Sequence, residues 1–221
     1  MSTGERFLVT GALGCIGAWT CAELAAAGVE VVGFDLGADD RRVRLATEAE
    51  IPLVHGDISD REAVTEALDD HGITHVIHLA ALLIPSIKRD PPYGTAVNIG
   101  GTVNVLDSAK TRGIRVAYAS SAAVYSQVDD TGGPVANDAV GHPVTFYGVH
   151  KQTCEALARI FWQEEQVPSI GRGRRNPRKR HGPPSGGFRY RRASDRRAPS
   201  GRHRLVRGAT PETLSVWQQS G

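Results

Sequence analysis

Short apolar runs alternate with longer helix-like segments through the first 170 residues of the chain. Arg6-Phe7-Leu8-Val9 predicts a first strand, and the alanine-rich stretch Ala18–Ala27 predicts a helix closed by Gly28. Further strands are predicted over Glu30–Asp35, Ile51–Ile58, His75–Ala81 and Arg115–Ser121. Helices are predicted over Asp60–Asp70, from about Gly94 to Arg112, and from Pro143 to Trp162, while Pro85–Pro92 reads as a loop. Strands in alternation with helices predict an α/β chain built on a doubly wound parallel sheet.

The junction between the first strand and the first helix is Val9-Thr10-Gly11-Ala12-Leu13-Gly14-Cys15-Ile16-Gly17. A strand, a glycine turn and a helix bring the backbone N–H groups around Cys15 and Ile16, and the positive end of the helix, to where a pyrophosphate can sit. Gly11 then serves the tight turn, Gly14 a close approach of backbone to phosphate, and Gly17 the packing of helix on strand, as in Rossmann-like folds. The second predicted strand ends on Asp35, 24 residues after Gly11 and 18 after Gly17. That offset suits a carboxylate accepting from the adenosine ribose hydroxyls. A carboxylate there repels a 2′-phosphate, which favours NAD over NADP; Arg41 and Arg42 keep NADP open.

Asp57 follows the third strand at the end where open parallel sheets bind ligands, so Asp57, with Ile58 beside it, is expected at the adenine edge. Asp57 is also a candidate cap for the helix that starts near Asp60. In the fourth strand the small residues after His78 (Leu79, Ala80, Ala81) let a cofactor lie against the backbone, and His78 itself reads as a satisfied core histidine. The following helix carries Asn98 and Asn104, and the fifth strand ends in Ser120 and Ser121. In the long helix after Pro143, Tyr147 and Lys151 are four residues apart and so share a face. A phenol is a poor base at neutral pH, and a nearby ammonium is expected to stabilise its phenolate and lower its pKa.

At 221 residues the chain is long enough for one well-buried α/β domain with a short appendage. No apolar run approaches the about 18 residues of a membrane span, and no charged and apolar leader precedes the first strand, so a cytoplasmic protein is expected. Cys15, Cys21 and Cys154 match neither zinc spacing nor a disulfide framework, which points to reduced thiols and no metal. The net charge of +2 conceals a division: 12 Lys and Arg against 22 Asp and Glu up to residue 170, then 14 against 2. Two segments of different composition are joined, one over residues 1–170 and one over 171–221.

Taken together the first segment resembles the extended short-chain dehydrogenase/reductase family, and within it the NAD-dependent sugar-nucleotide epimerases and dehydratases. The resemblance rests on Thr10-Gly11-x-x-Gly14-x-x-Gly17, Asp35, His55-Gly56-Asp57, His78-Leu79-Ala80-Ala81, Asn98 with Gly101-Thr102, Ser120-Ser121-Ala122-Ala123-Val124-Tyr125 and Tyr147-x-x-x-Lys151. It implies that Tyr147 removes a proton from a sugar hydroxyl while the adjacent carbon gives hydride to NAD. Lys151 would depress the Tyr147 pKa and hold the nicotinamide ribose, and Ser121 would hydrogen-bond the reacting oxygen. A nucleotide-sugar substrate, a keto intermediate and a homodimer formed by the helices around 94–112 and 143–166 follow from the same resemblance. Epimerase, dehydratase and dehydrogenase outcomes all remain open.

In that family Val167-Pro168-Ser169-Ile170 would be the next buried strand, followed by a substrate-binding region of more than a hundred residues. Here the apolar periodicity ends at Gly171, and the last 51 residues hold 13 arginines, 8 glycines and 5 prolines. Such a segment is expected to stay largely disordered. It reads either as a nucleic-acid-binding basic tail or, the favoured reading, as the product of a shifted reading frame in a GC-rich gene. Reading the domain as truncated puts NAD binding ahead of turnover. The competing expectation is a noncatalytic NAD-binding or nucleic-acid-binding protein with a basic tail.

Overall fold

A computed structural model describes residues 4–125 and 141–172. Six strands, β1 (Arg6–Thr10), β2 (Glu30–Asp35), β3 (Leu53–His55), β4 (His75–His78), β5 (Arg115–Ala119) and β6 (Ser169–Arg172), form one sheet in the order β3-β2-β1-β4-β5-β6. Every neighbouring pair is parallel. The chain moves outward from β1 to β3, then returns to the other side of β1 for β4, so the strand order reverses there. In open α/β sheets the crevice outside the carboxyl ends at that reversal is where ligands bind.

Helices cover both faces, which is why the strands read as nearly continuous apolar runs. Side chains alternate between the faces along each strand. Leu8, Val32 and Phe34 join Val76 and Val116 under α3 (Arg61–Asp70) and α6 (Gly101–Lys110), with Ala158 of α7 (Phe146–Glu165) in the same cluster. Val9 and Val31 go to the other face, against Cys21 of α1 (Cys15–Ala26). Helix α1 ends as its sequence predicts: Gly28 takes φ +73°, its N–H reaches the Ala25 carbonyl at 2.9 Å, and the Val29 N–H reaches that of Leu24 at 3.0 Å. This is a Schellman closure, and the left-handed residue is best a glycine.

The structure departs from the sequence reading in several places. The third strand shrinks to three residues, and a short helix α2 (Arg41–Ala46) forms where none was expected. The expected Pro85–Pro92 loop is instead helical, as α4 (Ile84–Arg89) and the start of α5 (Pro91–Thr95). Its prolines lie in first turns, where the missing N–H costs no helical bond. The long helix after it is interrupted by one π turn over Ala96–Gly100. Asp60, not Asp57, caps α3, accepting from the Glu62 and Ala63 N–H groups. Strand β6 continues through Gly171 and Arg172, which pair with Tyr118 and Ala119, so the first two residues of the basic segment belong to the sheet. A Cβ on Gly171 would lie 2.6 Å from the Tyr118 hydroxyl, so only glycine fits there without movement. The disorder expected of the rest of the tail, 173–221, falls outside the described residues.

Candidate active site

The glycine turn is built by close packing. Gly11 has φ +71°, and a Cβ on it would meet the Ala80 backbone nitrogen at 2.8 Å. A Cβ on Gly17 would stand 2.0 Å from the Gly11 carbonyl, so α1 can approach β1 only because residue 17 has none. Gly14 is the N-cap of α1 and offers no side-chain bond to the first turn. The leading N–H groups of the helix, at Cys15 and Ile16, have no intrahelical acceptor by helix geometry; both residues are exposed, and neither lines the cavity in front of the turn.

In front of this turn lies a cavity of about 440 Å³ at the carboxyl ends of β1, β2 and β4. Gly11, Gly14 and Asp35 line one side of it; Asp57 and Ile58 line another, and Leu79, Ala80 and Ala81 form a third wall. The Asp35 carboxylate is fixed by the Leu13 N–H on Oδ2 and the Gly37 N–H on Oδ1, both at 2.9 Å. Each oxygen keeps a free lone pair for a hydroxyl donor. Arg41 forms an ion pair with Asp39, which lines the cavity and whose carboxyl it holds down at about 2. Arg42 stays at the rim, its guanidinium 3.3 Å from the Leu13 carbonyl.

Across the cavity, Asp57 accepts from the Ser59 N–H and hydroxyl, each at 2.8 Å. The Tyr93 hydroxyl reaches its Oδ2 at 3.4 Å from α5. Tyr93 also lines the cavity. The sequence does not single it out, because it falls between the expected Pro85–Pro92 loop and the helix expected from about Gly94. The signal was Asp90-Pro91-Pro92, an N-cap followed by first-turn prolines, and Asp90 does accept the Tyr93 N–H at 3.0 Å.

The Leu79–Leu82 wall is held from behind by buried polar groups. Thr10 Oγ1 accepts the Leu79 and Ala80 N–H groups at 3.2 Å and lies 2.8 Å from His78 Nδ1. His78 Nε2 lies 3.2 Å from Thr102 Oγ1, and the Thr102 hydroxyl donates to the Asn98 carbonyl. Burial, aided by the charge of Lys151, pushes the His78 ring down to about 3, so it is the satisfied neutral core histidine expected. Asn98 does not itself line the cavity; its side chain supports the wall from behind. Its carboxamide bonds both the N–H and the carbonyl of Leu82, at 2.7 and 3.0 Å.

Tyr147 and Lys151 lie one turn apart on α7, as their spacing implies, with Lys151 Nζ 5.7 Å from the centre of the Tyr147 ring. Lys151 is buried and donates to the Ala119 carbonyl at 2.9 Å. Ser121, just past β5, caps a short 3₁₀ turn over Ala122–Val124, and its hydroxyl is near enough to Tyr147 to pull the phenol pKa down. The expected depression of the Tyr147 pKa by Lys151 is not what these contacts give. Burial raises the phenol above its ordinary value and only the Ser121 hydroxyl pulls it back, while burial lowers the Lys151 ammonium. Desolvation outweighs an ammonium that is directed at a carbonyl. Ser121, Tyr147 and Lys151 stand outside the lining of the nucleotide-sized cavity, around the end of β5.

Among the described residues no three His, Cys, Asp or Glu side chains gather as a metal site, and no helix is long and apolar enough to cross a membrane. The chain is 32% identical over 160 residues to a UDP-glucose 4-epimerase of Azospirillum brasilense, covering 72% of this chain and 45% of that protein. An uncharacterized epimerase/dehydratase of Staphylococcus aureus is 30% identical over 169 residues, covering 72% and 49%. The chain thus spans about half the length of the curated relatives it matches. Among solved structures, Thermus thermophilus UDP-glucose 4-epimerase in complex with NAD superposes with a TM-score of 0.69 at 28% identity, over 76% of this chain and 54% of that one. The holo form of an L-threonine dehydrogenase from Cupriavidus necator gives 0.69 at 27% identity, again over 76% and 54%. The sequence model of the NAD dependent epimerase/dehydratase family matches residues 7–172, and the chain belongs to that family.

Proposed function

We propose that this chain binds NAD in the cavity between β1, β2 and β4 and is the cofactor half of an epimerase/dehydratase acting on a nucleotide sugar. The observation that carries the reading is Asp35. Its carboxylate is locked by two backbone N–H groups at the end of β2, beside an uncapped helix start and a glycine turn that a single methyl would fill. Such a cradle fits a pyrophosphate on the Cys15 and Ile16 N–H groups, a ribose diol on Asp35 and an adenine between Asp57, Ile58 and Tyr93. A fixed carboxylate at the ribose favours NAD over NADP, and Asp39 competes with a 2′-phosphate for Arg41. Bound there, NAD supplies a hydride acceptor for a sugar carbinol.

The chemistry falls to the residues at the end of β5. Burial keeps the Tyr147 phenol protonated, so a substrate hydroxyl proton can pass to it only if the phenolate is favoured when substrate is present. Ser121, which already lowers the Tyr147 pKa, and the buried ammonium of Lys151 are the two groups placed to favour that form. Ser121 would also hold the reacting oxygen, and Lys151 the nicotinamide ribose. The NAD-complexed UDP-glucose 4-epimerase among the structural neighbours supports NAD as the cofactor.

A noncatalytic NAD-binding protein is the second reading, favoured by the position of Ser121, Tyr147 and Lys151 outside the lining of the cavity. Turnover of UDP-glucose by the full 221-residue chain, with and without Tyr147→Phe, separates the two. The enzyme reading expects interconversion at C4 that falls by at least about a hundredfold in the variant. No turnover by the native chain, with NAD binding intact, leaves the noncatalytic reading.

A further inference from the structure

Helix α7 sets His150, buried at 3% exposure, against the bend where α5 passes into the π turn. His150 Nδ1 lies 3.3 Å from Asn98 Nδ2, and His150 Nε2 lies 3.3 Å from Thr95 Oγ1. The direction of each bond is dictated by backbone groups that have no choice of role. The Leu82 N–H can only donate, so the Asn98 atom 2.7 Å from it is the oxygen. The Leu82 carbonyl can only accept, so the atom 3.0 Å from it is the Asn98 nitrogen. The second hydrogen of that nitrogen points at His150 Nδ1, which must therefore accept it. The ring proton is left on Nε2 and goes to Thr95 Oγ1, whose own hydroxyl donates to the Pro91 carbonyl at 2.9 Å.

The chain Leu82, Asn98, His150, Thr95, Pro91 is thus fully directed. Every donor meets an acceptor only while the ring is neutral with its proton on Nε2; a proton on Nδ1 would set two donors face to face. Burial and the adjacent Lys151 charge both favour the neutral ring. The Asn98 carboxamide cannot flip away, because Leu82 holds both of its ends.

We infer that His150 is a positioning residue, which holds the Asn98 carboxamide and so couples α7, the helix of Tyr147 and Lys151, to the Leu79–Leu82 wall of the cavity. Its consequence for NAD rests on the reading of that cavity given above. The sequence alone does not single out His150, since a lone histidine within a helix carries no motif of its own.

Two substitutions isolate the link. In His150→Asn, an amide oxygen one bond from Cγ takes the place of Nδ1, so the acceptor for Asn98 survives and only the Thr95 bond is lost. In His150→Leu a methyl group stands there and Asn98 loses its partner. Amide exchange at Leu82, followed by NMR in the full chain without nucleotide, is expected to quicken roughly tenfold in His150→Leu and to stay within about twofold in His150→Asn. The NAD dissociation constant should follow the same order, rising roughly tenfold in the leucine variant alone. Unchanged Leu82 exchange in both variants overturns the inference. Equal acceleration in both overturns it too, because a role limited to filling space does not tell an amide from a methyl. A native chain that binds no NAD, with Leu82 still loosened by His150→Leu, sinks the NAD reading and leaves the coupling standing. Should the leucine variant not fold, the ring ¹⁵N shifts of the native protein decide: the Nε2–H tautomer is expected, and a proton on Nδ1 refutes the chain.

Discussion

His78 ties the end of β1 to α6, and its environment makes the stability of the fold depend on pH. The ring is fully enclosed between Thr10 and Thr102, with its folded pKa near 3 against an ordinary value of 6.5. Because the folded pKa is depressed, the unfolded chain takes up a proton that the folded chain refuses. Stability is therefore complete above about pH 6.5 and is lost as pH falls toward 3. Integrated over that window, one such group contributes about 5 kcal/mol, of which about 2 kcal/mol disappears between pH 7 and pH 5. The pH 5 figure hardly changes wherever below about pH 4 the folded ring titrates, since at pH 5 it is then still neutral. The assay is urea unfolding of the native chain and of His78→Gln at pH 7, 6 and 5. Glutamine is uncharged throughout, so the variant starts less stable but falls with pH by about 2 kcal/mol less than the native chain. His75 and His150, whose pKa values are also lowered by burial, contribute equally to both proteins and cancel in the difference. Parallel pH dependence in the two proteins would refute the reasoning and place His78 in contact with water.

The turn, the wall and the base give further tests. Gly17→Ala places a methyl 2.0 Å from the Gly11 carbonyl and should cost at least about 2 kcal/mol in urea unfolding, together with NAD affinity. Thr10→Val removes the Oγ1 that the Ala80 N–H and His78 Nδ1 use, while the Leu79 N–H keeps the Thr10 backbone carbonyl at 3.1 Å, and it is expected to lower stability by about 2 kcal/mol in the same assay. Tyr93→Phe should alter NAD affinity less than about threefold, because its 3.4 Å bond to Asp57 is long and exposed, whereas Tyr93→Ala opens the wall and should weaken binding about tenfold. An ultraviolet difference titration between the native chain and Tyr147→Phe should show that phenolate forming only above pH 10, its ordinary value, since burial raises it.

The strands and the glycine turn were legible because their signals are local. An apolar run, a glycine with positive φ and a carboxylate about 20 residues on each follow from their own neighbours. Asp35 was placed correctly at the end of β2 for that reason. The Pro85–Pro92 segment was misread because proline breaks a helix interior but starts a helix equally well, and only the position of Asp90 distinguishes the two. Asp57 and Asp60 are both plausible caps in sequence; which one turns back onto the Glu62 N–H depends on where β3 ends. The spacing of Tyr147 and Lys151 fixed that they share a face, yet not which pKa direction results, since burial is set by elements far away in sequence. Tyr93 against Asp57 and His150 against Asn98 lie beyond local reading altogether. They meet across 36 and 52 residues, and no period or propensity within either helix encodes the partner.

The claim on which the rest depends is that the cavity beside Gly11 and Asp35 is an NAD site. Calorimetric titration of the 221-residue chain with NAD and with NADP, repeated on Asp35→Ala, tests it directly. The account predicts saturable NAD binding, weaker NADP binding, and a loss of roughly tenfold or more in NAD affinity with the preference over NADP narrowed in the variant. A native chain that unfolds cooperatively yet binds neither nucleotide, or one whose NAD affinity is indifferent to Asp35, would contradict it.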